Sequence, residues 1–305
     1  MRAIVSTPGA ASPVTIREVE PPLAAEDEMV LEVRSFALNR GEIHLLEARP
    51  EWRPGQDISG VVVEAAVDGS GPSVGTRVAA LVDEGGWADR VAVPTSRAGI
   101  LPESVSFSEG ATVGVAGLTA LRALKVGGSL LGARVLVTGA AGGVGRFAVQ
   151  LARLGGAEVT AVVGSPSRRE GLGDLGAHSV IVEPDEPDGA FEVVMEAVSG
   201  PGLQRSVHAL APGGVVVLYG AASQEPAPIS FFDFRGRPRA RVQAFFIYTT
   251  GTDTFGRDIG YLARLMGEKK LVAPIGLEAS WNELDTALNA LRDRRVNGKA
   301  VLTID

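Results

Sequence analysis

The stretch Val135-Leu136-Val137-Thr138-Gly139-Ala140-Ala141-Gly142-Gly143-Val144-Gly145-Arg146 decides the fold. A β-branched apolar run stops at a glycine-rich turn. A helical pattern opens behind it, with Val144, Phe147, Ala148, Leu151 and Ala152 on one face. Strand, tight turn and helix in that order make a phosphate-binding unit. The glycines let the backbone bend and approach a pyrophosphate, while the unbonded N–H groups and the dipole at the helix start attract its charge. The stretch therefore predicts a bound dinucleotide. Glycines that serve only a turn and close packing are the alternative, and the context weighs against it. Residues 158–164 read as a second parallel strand. Further apolar runs follow at 179–182, 191–198 and 214–219, with a helical pattern between most of them. That alternation predicts a doubly wound parallel sheet.

Composition limits what else the chain can be. Its 305 residues are enough for two domains, and 45% hydrophobic with 21% charged residues is ordinary for a globular protein. The net charge of −7 offers no broad basic surface for nucleic acid or an acidic membrane. The absence of cysteine removes disulfides, thiolate catalysis and Cys-ligated metals. The amino terminus lacks the apolar run of a signal peptide, and no run reaches membrane-spanning length. These features predict a cytoplasmic protein.

The first hundred or so residues follow another pattern. Short strand-like runs at 2–6, 14–19, 29–37, 58–67, 76–82 and 88–93 are separated by Gly, Pro and Asp, which predicts an antiparallel, barrel-like domain. A helical pattern runs from about Ser108 to Ala123. After the parallel sheet come helical patterns at 253–267 and 281–292 and a last strand at 299–304. A complete six-stranded sheet has no room for these, so they are assigned to the first domain.

The order of motifs resembles the medium-chain dehydrogenase/reductase superfamily, in its zinc-independent quinone oxidoreductase branch. The resemblance rests on Phe36-Ala37-Leu38-Asn39-Arg40, Gly55-Gln56-Asp57-Ile58-Ser59-Gly60, Val74-Gly75-Thr76-Arg77-Val78 and Gly85-Gly86-Trp87-Ala88-Asp89. It continues through Gly117-Leu118-Thr119-Ala120, the glycine-rich turn and Gly298-Lys299-Ala300-Val301-Leu302. It implies an α/β protein with a GroES-like β-barrel-type catalytic domain over residues 1–112 and 251–305. A Rossmann doubly wound parallel-sheet domain for NADP would occupy residues 113–250. Zinc-dependent relatives carry a Gly-His-Glu segment; here Gln56 stands at the histidine position and no cysteine exists, so no metal site is expected.

Without a Lewis acid, an isolated ketone is a hard hydride acceptor. A quinone or an α,β-unsaturated carbonyl spreads the developing charge through a conjugated enolate, which hydrogen bonds alone can stabilise. The resemblance points the same way, to NADPH-dependent reduction of such acceptors. An enoyl reductase acting on acyl thioesters, a non-catalytic NADPH sensor and a scaffold built on the fold are the alternatives.

The resemblance places Asn39 beside the nicotinamide, to position its carboxamide or donate to the substrate oxygen; a turn or cap residue is the plainer reading. His44 stands where these reductases often carry Tyr and would donate a proton or hydrogen bond, against an exposed helical His. Thr119 matches a position near the nicotinamide. His178 and His208 read as structural or solvated, and Trp52 and Trp87 as packing residues. The turn residues Gly139, Ala140, Gly142, Gly143 and Val144 would hold the pyrophosphate, and the resemblance adds Gly220, Phe246 and Lys299 to the cofactor contacts. The second strand ends Val163-Gly164-Ser165-Pro166-Ser167-Arg168-Arg169. The acid that an NAD site uses to hold the ribose hydroxyls is missing, while Gly164, Ser165, Arg168 and Arg169 suit a 2′-phosphate. Glu183 falls near a position where relatives carry Tyr and argues against that reading.

Arg235, Arg237, Arg239 and Arg241 alternate and would share one face of a solvated edge strand. Residues 242–248, with the aromatic run Phe245, Phe246 and Tyr248, are expected to form the outer strand of the sheet. Such an apolar edge needs a cover, which predicts a homodimer through this strand.

Overall fold

The computed structural model describes residues 1–185, 187 and 189–304. The chain forms strands β1 (Arg2–Ser6), β2 (Val14–Glu18) and β3 (Glu28–Ala37), helix α1 (Arg40–Ala48), then β4 (Asp57–Glu64), β5 (Arg77–Leu81), β6 (Arg90–Pro94) and β7 (Ala98–Ile100). Helices α2 (Phe107–Gly110) and α3 (Leu118–Val126) flank a π-helical turn, Val113–Gly117. Next come β8 (Arg134–Val137), α4 (Gly143–Leu154), β9 (Glu158–Val163), β10 (Ser179–Val182), β11 (Phe191–Glu196), α5 (Pro201–His208), β12 (Leu210–Leu218) and β13 (Arg241–Ala244). The chain ends with α6 (Phe255–Gly267), β14 (Ile275–Ser280), α7 (Leu284–Arg292) and β15 (Lys299–Thr303). Two compact units result: Met1–Leu118 with Gly251–Asp305, and Thr119–Thr250. Among the described residues no helix is long and apolar enough to cross a membrane.

In the first unit β14, β15, β3, β4, β5 and β7 form one sheet in that order, with β6 also paired to β3. Its inner face buries Leu31, Phe36, Ile58 and Trp87, and Phe36 stacks on Trp87 at 5.4 Å between ring centroids. Helix α7 adds Leu284, Ala287, Leu288 and Leu291 to the same core, spacings that put them on one helical face. The end of β3 is where distant parts of the sequence meet. Ala37 faces Asp57 of β4 on one side and Val301 of β15 on the other. In an antiparallel register, Val301 opposite Ala37 carries Lys299 alongside residue 39.

In the second unit the order is β10-β9-β8-β11-β12-β13, and every pair is parallel. The order reverses between β8 and β11, the switch point of a doubly wound sheet, where ligands bind beyond the carboxyl ends of the strands. Strands buried on both faces read as apolar runs, and Leu136, Val162, Phe191, Val194 and Val216 form the core here.

Several local expectations change. Helix α4 buries Phe147, Ala148, Leu151 and Ala152 as expected, but leaves Val144 only half-buried and also buries Val149 and Gln150. Helices join β8 to β9 and β11 to β12. The β9–β10 connection holds only a 3₁₀ turn, Pro166–Arg168, and β10–β11 has no helix among its described residues. Pro166 and the left-handed glycines Gly171 and Gly176 break the first connection. The helical pattern from Ser108 is split by the π-helical turn. The aromatic run is not in the last strand, which stops at Ala244. Beyond it the Thr249 and Thr250 hydroxyls donate to the carbonyls of Phe246 and Ile247, at 2.9 and 2.6 Å, closing a 3₁₀ turn in place of a ladder. The four arginines do not share a strand face either. Only Arg241 lies in β13, Gly236 and Arg239 have left-handed φ, and the Arg237 Nε–H donates to the His208 carbonyl at 2.9 Å.

Candidate cofactor and catalytic site

The carboxyl edge of the parallel sheet gathers most of the expected cofactor residues. Gly139 follows β8 with φ 58°, and a Cβ there would sit 3.2 Å from the Ala197 Cβ. The Ala140 N–H donates to the Val162 carbonyl at 3.0 Å, tying the turn to β9. Gly142 is the N-cap of α4, and Gly143 and Val144 open its first turn. A Cβ on Gly145 would come within 2.6 Å of Ala140 Cα, so only glycine lets the helix start this close to the turn. The N–H groups of a first helical turn have no acceptor within the helix and face outward as anion donors.

At the end of β9, Gly164 is open, with no atom within 4 Å of a would-be Cβ, and the Ser165 and Ser167 hydroxyls lie 3.1 Å apart. Arg168 is half-buried and Arg169 exposed. Glu183 does not reach this corner as a free carboxylate; it pairs with Arg205 at 3.2 Å. Arg146, which the sequence did not single out, lies beside this corner. Its Nη2–H donates to the Glu170 carbonyl at 2.7 Å. Partial burial, and next the charge of Arg168, hold its pKa below the usual guanidinium range. A cation in the first turn of a helix opposes the dipole, and that local conflict was the available signal.

Gly220 follows β12; a Cβ there would sit 2.8 Å from the Ala197 carbonyl oxygen. Phe246 lies just beyond β13 and is 66% exposed. Thr119 is buried on α3.

A polar cluster in the other unit holds Asn39 and Lys299. Asn39 is the N-cap of α1, and its backbone N–H donates to Glu42 Oε2 at 2.7 Å. Its side chain turns to the ion pair: Nδ2–H donates to Asp57 Oδ2 at 3.1 Å, and Oδ1 accepts from Lys299 Nζ at 2.7 Å. Lys299 Nζ also donates to Asp57 Oδ2 at 2.7 Å and to the Leu38 carbonyl at 2.9 Å. The Lys299 and Asp57 side chains are 4% and 0% exposed. All three ammonium protons are thus used inside the protein, which leaves none for the direct cofactor contact expected of Lys299. Asp57 Oδ1 accepts the Val115 N–H of the π-helical turn at 2.6 Å. Glu42 completes the cluster, with Oε1 accepting the Gln56 N–H at 3.0 Å. Burial, and next the charge of Asp57, push its carboxyl up to about 8.

His44 is exposed on α1. His178 Nδ1 accepts from the Val159 N–H at 3.0 Å, and His208 pairs with Asp233 at 2.7 Å. Trp52 donates its indole N–H to Glu84 at 2.6 Å, and Trp87 lies in the core. Gln56 does not sit in a ligand set: among the described residues no three His, Asp or Glu side chains converge as metal ligands.

A family model described as zinc-binding dehydrogenase matches residues 143–263, a span that begins at α4 and excludes Gln56. A mycocerosic acid synthase-like polyketide synthase of Mycolicibacterium smegmatis is 26% identical over 100% of this chain and 15% of its own length. The synaptic vesicle membrane protein VAT-1 homolog of Rattus norvegicus is 33% identical over 70% of this chain and 56% of its own. A quinone oxidoreductase of Sus scrofa is 24% identical over 94% and 92% of the two chains. These matches support a medium-chain dehydrogenase/reductase of quinone oxidoreductase type. This chain spans 15% and 56% of the first two relatives. Among solved structures, Escherichia coli quinone oxidoreductase complexed with NADPH superposes with a TM-score of 0.87 at 21% identity, over 99% of each chain. CurK enoyl reductase gives 0.86 at 23% identity, over 100% of this chain and 99% of that one. Both likenesses speak for the fold.

Proposed function

We propose that this medium-chain reductase uses NADPH to reduce a quinone or an α,β-unsaturated carbonyl without a metal ion. The observation that carries the reading is the corner at the end of β9. Two guanidiniums, Arg146 and Arg168, lie close enough to repel each other beside Ser165 and an open Gly164, and the nearby Glu170 charge offsets that repulsion only in part. A 2′-phosphate relieves that repulsion, which a ribose hydroxyl does not. The Gly139–Gly145 turn fits a pyrophosphate, because Gly142 caps α4 and Gly143 and Val144 open its first turn, whose N–H groups have no acceptor within the helix.

Bound NADPH supplies a hydride. The chain's own part is to orient and to stabilise charge. Asn39 keeps one Nδ2–H beyond the one given to Asp57, and that proton is the donor we assign to the acceptor's oxygen as it gains charge. Thr119, Phe246 and Gly220 are assigned to the nicotinamide end and Arg169 to the phosphate corner. The solvent-facing His44 is the candidate proton donor. The reading includes a homodimer formed through the open edge of β13.

The similarity to polyketide synthases and to CurK enoyl reductase supports a second reading, reduction of an enoyl thioester. Isothermal titration and a steady-state panel separate the possibilities. NADPH should bind at least about ten-fold tighter than NADH, the equivalent of ~1.4 kcal/mol. Turnover confined to enoyl thioesters supports the second reading. Binding without turnover on any acceptor leaves a sensor, and no binding at all leaves a scaffold. Zinc should stay well below one per chain after dialysis, and a stoichiometric, chelator-sensitive metal would overturn the metal-free mechanism.

A further inference from the structure

The Asp57–Lys299 pair is an unusual thing for a core to keep. Moving two charges out of water costs more than their attraction returns unless every proton and lone pair is engaged, so such a pair is poor evidence for stability alone. Here engagement is complete on the cation. Lys299 donates to the Leu38 carbonyl, Asn39 Oδ1 and Asp57 Oδ2. The anion takes three donors: the Val115 N–H, the Asn39 Nδ2–H and the ammonium.

The two ends treat Asn39 differently. An ammonium can only donate and an ionised carboxylate can only accept. The amide oxygen must therefore face Lys299 and the amide nitrogen must face Asp57. A flipped amide would set N–H against ammonium and oxygen against carboxylate, losing two charge-assisted hydrogen bonds and adding two repulsions. The backbone reinforces the arrangement. The π-helical turn aims the Val115 N–H at Asp57, and a Cβ on Gly114 would lie 2.2 Å from Asp57 Oδ1, so the carboxylate has one seat. π-helical turns often mark functional positions.

We infer that Lys299 and Asp57 are positioning residues that lock the Asn39 carboxamide in one orientation, leaving a single N–H aimed at the reacting partner. The inference rests on the proposed role of Asn39 in NADPH-dependent reduction. It assigns the pair a task separate from cofactor contact. The lock acts on direction: without it the amide rotates, and the remaining N–H is a donor for only part of the time.

Selective ¹⁵N-asparagine labelling reads the amide directly, because the chain has only four asparagines, Asn39, Asn282, Asn289 and Asn297. In the unaltered protein the Asn39 Nδ2 proton given to Asp57 should exchange about ten-fold more slowly than those of the exposed Asn289, as one added hydrogen bond implies. An unprotected Asn39 proton there overturns the inference without any variant. The combined exchange Asp57→Asn with Lys299→Met removes both charges, so neither is left buried alone. It should abolish the protection and lower kcat about ten-fold while the NADPH KM moves less than about three-fold, the signature of an interaction needed in the transition state. Asn39→Ala should cost no more on that background. Retained protection, or a full further loss on adding Asn39→Ala, contradicts the inference. An Asn39→Ala change that leaves kcat untouched in the otherwise native, protected protein refutes the proposed role of Asn39 and leaves the lock itself standing.

Discussion

Arg146 sits in the first turn of α4, where its charge opposes the helix dipole, and close to a second guanidinium. Both costs vanish when a phosphate dianion lies between the two arginines. Arg146→Ala should therefore weaken NADPH binding about ten-fold and NADH binding far less, with Arg168→Ala behaving alike. Titration calorimetry with both nucleotides checks this; equal losses for the two would remove the arginines from the 2′-phosphate. Glu42 makes a separate prediction. Its folded pKa of about 8 stands above the ordinary 4.5. The folded state keeps a proton that the unfolded chain has released, so stability falls as pH rises from about 4.5 to about 8. Asp57 strengthens the effect and Lys299 opposes it, as do the two N–H groups the carboxyl accepts. Thermal melts between pH 5 and 8 should show the decline, and Glu42→Gln should flatten it. A pH-independent melting temperature in the native protein would mean that Glu42 stays ionised throughout.

At the level of elements, the strand–turn–helix around Gly139–Gly145 was legible because it is local: glycine positions and helical spacing suffice. Gly145→Ala drives a methyl against Ala140 Cα. It should cost ~1–3 kcal/mol, as overpacking does, and weaken NADPH binding in parallel. Unchanged melting and binding would show that the turn can yield. Legibility ends where partners are remote. Lys299 and Asp57 stand 242 residues apart and meet only because β15 and β4 flank β3. Spacing along the chain carries no trace of that. The reading of Lys299 as a cofactor contact missed it for this reason. The aromatic run failed differently. Phe245 to Tyr248 have strand propensity, but threonine hydroxyls following them compete for the carbonyls and turn the chain. Arg146 was within reach of sequence, since a cation at a helix start breaks a local rule.

For the whole molecule, β13 is the outer strand and, among the described residues, pairs only to β12. Its Arg241, Gln243 and Ala244 are exposed, and Phe246 and Tyr248 beyond it are exposed as well. An open edge beside exposed aromatics suits an isologous contact that continues the sheet into a second copy. Light scattering at micromolar concentration should give twice the chain mass of 31.6 kDa. A monomer would mean that β13 stays solvated, with Arg241 keeping it apart from other edges. The central claim, hydride delivery from NADPH to a conjugated acceptor, has a more direct test. NADPH carrying deuterium on each face of its C4 in turn is incubated with the protein and a quinone, an enone or an enoyl thioester, and the products are examined by mass spectrometry and NMR. The account predicts that one C4 face alone delivers its label, at the β-carbon of the enone or enoyl thioester, with NADPH oxidised in equal amount. NADPH bound but unoxidised in the presence of every acceptor, or label delivered from NADH as readily as from NADPH, would contradict it.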